Sequence, residues 1–126
     1  MIESVKEFHE TYGLPVLDTP TLVPDRHKLR LALIVEEAEE LAEAMDENDL
    51  VGIADALGDL AYVVIGAALE FGIPLEEVVD EIHLSNMSKL GAGGKPIYRE
   101  SDGKVLKGPN YSPPNIAKVL GVENVT

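Results

Sequence analysis

From about Asp49 to Phe71 the chain is apolar on nearly every helical face, with Leu50, Val51, Ile53, Leu57, Leu60 and Val64 pointing in different directions before Gly72 stops the run. A helix of that kind is stable only when it is surrounded. Three other helices of a small chain can hardly enclose it, so a second subunit is expected to cover part of it. This predicts an all-α helical bundle of about four helices per chain, assembled as a homodimer or as a tetramer of such dimers. The longest uninterrupted apolar run, Leu60 to Leu69, is about half of what a bilayer requires, and Asp59 adjoins it. The expectation is a core helix and no membrane.

The rest of the chain supplies the other helices. A first short one runs from about Glu3 to Tyr12 and ends at Gly13 and Pro15. A second starts near Pro24 and Asp25, residues suited to a first turn, and reaches about Asp46. Pro74 opens a fourth, Leu75 to about Leu90, closed by Gly91, Gly93 and Gly94. Beyond it lies an irregular tail in which Pro96 to Lys107 can form a hairpin turning at Asp102 and Gly103, and Pro113 to Leu120 a last short helix. With 126 residues the chain fits one domain, residues 1–126, made of a helical core at 1–90 and a basic tail or lid at 91–126. There is no cysteine and no secretory pattern, so the cytoplasm is the expected location.

Net charge is −13, which argues against nucleic-acid backbone or anionic lipid as partner. The charges are also segregated. Leu31 to Ser88 holds fifteen Asp or Glu and no Lys or Arg, whereas Lys89 to Lys107 holds Lys89, Lys95, Arg99, Lys104 and Lys107 against Glu100 and Asp102.

The acids of the second helix are not spread like a solvated face. At about 100° per residue Glu36, Glu37 and Glu40 share one sector, framed by Leu29, Leu33 and Ala44, while Leu31, Ile34, Val35 and Met45 occupy the opposite side. Glu39 and Glu43 are read as ordinary surface charges. Asp55 and Asp59 stand one turn apart in the apolar third helix, with Gly52 and Gly66 near the same stripe. Buried acids are normally paired or metal-bound, and a hard dication relieves the repulsion among several of them. All-oxygen ligands suit Mg²⁺, with Mn²⁺ as its substitute.

The run EEAEE, Glu36 to Glu40, followed by DALGDL, Asp55 to Leu60, resembles the MazG-like nucleoside triphosphate pyrophosphohydrolases. That all-α superfamily includes the dimeric dUTPases and phosphoribosyl-ATP pyrophosphohydrolase. Its signature is EExxE, a spacer and ExxD, with Mg²⁺ on those acids. Glu36, Glu37, Glu40 and Asp59 match it; the Glu of ExxD falls on Ala56, and Asp55 stands one place earlier, which leaves the fourth ligand open. The segments VKEFHETYGLPV, EIHLSNMSKL, GKPIYRE and GKVLKGPNYSPP extend the likeness over nearly the whole chain.

The resemblance implies hydrolysis of a nucleoside triphosphate, standard or modified and with dUTP among the candidates, to monophosphate and pyrophosphate. It implies Glu37, Glu40 and Asp59 as ligands, Asp55 as a further one, and Glu36 as base or ligand. Asn86 and Lys89 are expected to face the phosphates, with Lys95, Arg99, Lys104 and Lys107 closing over them. Three other readings are open. The first is phosphoribosyl-ATP pyrophosphohydrolase. The second is a di-iron bundle, for which only Asp80 and His83 approach the needed spacing. The third is a non-enzymatic acidic helical dimer that binds a protein partner. Phe8, His9 and Tyr12 are read as packing for the first helix rather than as a platform for a base.

Overall fold

The computed structural model describes residues 1–123. Among them are five α-helices, one short 3-10 turn and no β-strand. The chain divides into two compact units, Met1–Pro74 and Leu75–Thr126.

The first unit holds α1 (Ile2–Thr11), α2 (Pro24–Asp46) and α3 (Leu50–Phe71). Helix α2 begins at Pro24, whose missing N–H costs nothing in a first turn. Between α2 and α3 the chain reverses at Asn48, which adopts the left-handed conformation that Asn tolerates, with φ of 54°. Asp49 then caps α3 by accepting from the Gly52 N–H at 3.0 Å. The resulting hairpin is antiparallel and close, since a Cβ on Gly52 would stand 3.2 Å from that of Ala44.

At its far end α3 stops at Gly72, φ 65°. Here the loop before α2 satisfies the orphan carbonyls of the last turn: Leu17 N–H donates to Leu69 O and Thr21 N–H to Phe71 O, both at 2.9 Å. Any side chain at residue 72 would strike the Thr19 carbonyl, 2.1 Å from its Cβ position. Helix α1 buries Val5 and His9.

The apolar circumference of α3 is only partly used within the unit. Ala56, Ile65 and Ala68 are buried, yet Leu50 and Val51 are 78% and 80% exposed. Leu31, Val35 and Met45, the outer apolar side of α2, are exposed as well.

The second unit starts with α4 (Leu75–Met87), shorter by three residues than its sequence suggests. Ser88 accounts for the early stop: its hydroxyl donates to Ser85 O and accepts from Ser112 N–H at 2.8 Å, a local alternative to the next helical turn. The tail hairpin forms as expected, with Leu106 N–H donating to Ile97 O, Arg99 N–H to Lys104 O, and Gly103 at φ 75° in the turn. Helix α5 (Ile116–Leu120) is capped by the Asn115 side chain. Segment 112–115 is bonded back to α4, through Ser85 Oγ donating to Ser112 O at 2.7 Å and Asn115 N–H donating to Glu81 at 3.0 Å.

Candidate functional site

The hairpin of α2 and α3 brings Glu37, Glu40 and Asp59 together, each offering a carboxylate oxygen within 4.8 Å of the others. Glu37 and Glu40 lie one turn apart on α2, and Asp59 reaches them from the facing stripe of α3. Glu37 is half-buried, and among the described residues its shielded Oε2 has no hydrogen-bond partner. Burial pushes its carboxyl above the usual glutamate range, and the neighbouring Glu40, Asp59 and Glu36 push it further the same way. Three acids crowded around a shielded oxygen that lacks a donor form a set that a hard cation fits and a proton only half relieves.

Glu36 stands beside this triplet rather than in it, near enough to act on Glu37 through its charge. Asp55 is exposed and turned away by one residue. It lines a shallow cleft with Glu40, Glu43, Glu47 and Asp49, so Glu40 borders both groups and Glu43 shares the space of Asp55. Ala56, where the resemblance expects a Glu, is buried against α2, 3% exposed.

The six residues expected at the phosphates belong to the second unit, Leu75–Thr126. Asn86, Lys95 and Lys104 are exposed and Lys89 is half-buried. Arg99 forks onto Asp102 through Nε at 2.9 Å and through Nη2, which holds the Asp102 carboxyl below its ordinary range. Lys107 sits with Nζ 4.6 Å from the Tyr111 ring centroid. Asp80 and His83 are both exposed. Of the α1 aromatics, His9 is buried and bonded to Pro15 O at 3.0 Å, while Phe8 packs on Tyr12 and on Tyr62 of α3 with centroids 4.6 and 5.7 Å apart.

One group escaped the sequence reading. Glu70, fully buried near the end of α3, accepts from Arg26 Nε at 2.7 Å and Nη2 at 3.0 Å, and from Arg30 Nη1 at 3.1 Å. The free arm of Arg30, Nη2, donates to Val63 O at 2.9 Å. Gly66, on the stripe of Asp55 and Asp59, makes room for Arg30 and His9. The available signal was two arginines one turn apart on α2, an acid inside an apolar run, and a glycine one turn before it.

Residues 5–86 match the model of the phosphoribosyl-ATP pyrophosphohydrolase family, a span that contains most of α1, all of α2 and α3, and most of α4. The chain belongs to that family. It thereby sits in the MazG-like all-α superfamily that the EEAEE and DALGDL runs resemble. A crystal structure from Exiguobacterium sp. 255-15, of a protein provisionally named an NTP pyrophosphohydrolase, is 30% identical. It superposes with a TM-score of 0.50 over 93% of this chain and 89% of its own. An uncharacterised protein of Acanthamoeba polyphaga mimivirus is 36% identical over 118 aligned residues, 83% of this chain. The chain spans 46% of the length of that relative.

Proposed function

We propose that this family member uses Mg²⁺ to hydrolyse a nucleoside triphosphate, standard or modified and with dUTP among the candidates, to a monophosphate and pyrophosphate. The observation that carries the reading is the Glu37, Glu40 and Asp59 triplet with its partnerless shielded oxygen. Mn²⁺ suits the same oxygens. When bound, such an ion supplies Lewis-acid polarisation of the phosphate chain. The remaining work falls to the protein's own side chains. Glu37, Glu40 and Asp59 hold the cation, and Asp55, across Glu40, supports them. Glu36, next to the triplet, takes the proton of the attacking water. Within the second unit, Asn86, Lys89, Lys95 and Lys104 carry donors of the kind that phosphate oxygens accept, while Arg99 and Lys107 have theirs engaged with Asp102 and Tyr111.

The family match favours a second reading, phosphoribosyl-ATP as the substrate, in which the same acids cleave the same kind of anhydride. We also propose that a second copy of the chain covers the open faces of α2 and α3. Helix α3 has a mean hydropathy of 1.7 over its most apolar stretch and is long enough to cross a bilayer. Asp55 and Asp59, at about 2.5–3.5 kcal/mol for an acid at mid-membrane, favour a protein neighbour over lipid.

The experiment is an incubation with Mg²⁺ or Mn²⁺ and a panel of standard triphosphates, dUTP, damaged triphosphates and phosphoribosyl-ATP, with pyrophosphate measured. Release from one class is expected. No release from any of them with either metal would contradict the hydrolase and leave the acidic partner-binding dimer as the better reading.

A further inference from the structure

We infer that Arg26, Arg30 and Glu70 are positioning residues: their clamp, closed on the buried Glu70, sets the rotation and register of α3 against α2 that bring Asp59 opposite Glu37 and Glu40. The inference rests on the metal role proposed above for that triplet.

The need for such a device follows from α3 itself. A helix that is apolar all round has no amphipathic direction, and hydrophobic burial is non-directional, so packing alone tolerates several rotations of α3. The clamp tolerates one. Glu70 is wholly buried, and its carboxylate is stable there only while two guanidiniums reach it. A slide of one helical turn, or a rotation by one residue, would strand the charge among aliphatic side chains.

The neighbouring contacts sharpen the selection. Arg30 Nη2 donates to Val63 O, the carbonyl four positions beyond Asp59 in sequence, so the clamp ends one turn from the site. A side chain at Gly66 would displace Arg30 from its clamp, because its Cβ would lie 2.3 Å from Arg30 Nη2 and 2.9 Å from His9 Nε2. Only the rotation that turns Gly66 towards α2 therefore admits Arg30. Arg30 and Glu37 are two turns apart on one face of α2, and Glu70, Gly66, Val63 and Asp59 follow one another along one face of α3. The clamp and the carboxylate triplet are neighbouring stretches of one contact.

Buried ion pairs commonly add little net stability and specify arrangement instead. This separates positioning from simple structural support. In the Arg26→Met, Arg30→Met, Glu70→Leu triple variant, the expected outcome is a helical protein melting no lower than wild type, with Mn²⁺ affinity by titration calorimetry reduced at least about tenfold, the range seen when groups that orient metal ligands are removed. Losing two cations and one anion makes the protein more acidic, which by itself favours Mn²⁺, so a loss of affinity is not a charge effect. A folded triple variant that binds Mn²⁺ as wild type does overturns the inference. If the triple variant fails to fold, Arg30→Lys decides: it keeps the charge but not the fork. Roughly tenfold weaker Mn²⁺ binding with retained helicity supports positioning, and unchanged binding overturns it. Failure of the wild-type protein to bind Mn²⁺ is a different result, which removes the proposed metal role and the positioning together.

Discussion

Arg30 places its Nη2 atom 2.3 Å from where a Cβ on Gly66 would stand, so a guanidinium of α2 fills the side-chain space of α3. Gly66→Ala is therefore expected to destabilise the protein despite alanine's better helix propensity. Overpacking a tight core costs about 1–3 kcal/mol, whereas the propensity gain is about 1 kcal/mol. Urea unfolding reads the difference: a lower midpoint with an unchanged slope is expected, and a higher midpoint would show that Arg30 can move aside freely.

This clamp also marks how far the sequence is legible. Pro24, Asp49 and Gly72 bound α2 and α3 by local backbone chemistry, and the convergence of Glu36, Glu37 and Glu40 follows from helical spacing alone. The pairing of Glu70 with Arg26 and Arg30 does not, because its partners lie 44 and 40 positions away and only the hairpin joins them. Likewise Gly66 announces a close approach without saying what approaches. Asp55 and Ala56 show a subtler limit: which of two adjacent residues faces α2 depends on the rotation of α3, and an all-round apolar helix does not reveal its rotation. Ala56 faces inward and Asp55 lines the cleft.

The raised carboxyl of Glu37 gives the metal-free protein a pH dependence of known sign. A group whose pKa is higher folded than unfolded favours folding while protonated, so its contribution is full below the ordinary glutamate range and is lost as pH rises through the folded value. Without divalent metal, the melting temperature is expected to fall as pH rises through that window. Glu37→Gln should flatten the dependence and melt higher than wild type at neutral pH. A Glu37→Gln protein with the wild-type pH slope would place the cause elsewhere.

Asp55 lies outside the triplet but across Glu40 from it. Asp55→Asn is expected to weaken Mg²⁺-dependent activity by about tenfold to a hundredfold, the effect of a group that supports ligands rather than serving as one. Ala56→Glu tests the same geometry from the inward side, where a new carboxylate would enter the buried contact with α2. It should lower the stability of the metal-free protein, and saturating Mg²⁺ should recover part of the loss. Full activity in Asp55→Asn would remove that residue from the site.

In the second unit, Ser85 is buried and donates to Ser112 O, anchoring the tail to α4. Ser85→Ala leaves that carbonyl one donor poorer, at about 1 kcal/mol. Faster amide exchange in residues 108–120 than in α3 of the same variant is the expected readout, and uniform exchange in both would show that Ser85 does not anchor the tail.

Pyrophosphate release by Asp59→Asn, measured against wild type and Glu39→Gln at saturating Mg²⁺, tests the role of the carboxylate triplet most directly. Asp59→Asn preserves shape while removing one charge from the three acids that meet within 4.8 Å, and Glu39 lies exposed on the same helix as Glu37 and Glu40. The expected result is near wild-type release by Glu39→Gln and a loss of orders of magnitude in Asp59→Asn, in a protein whose helical signal is intact. Wild-type Mg²⁺-dependent release by a folded Asp59→Asn protein would contradict it.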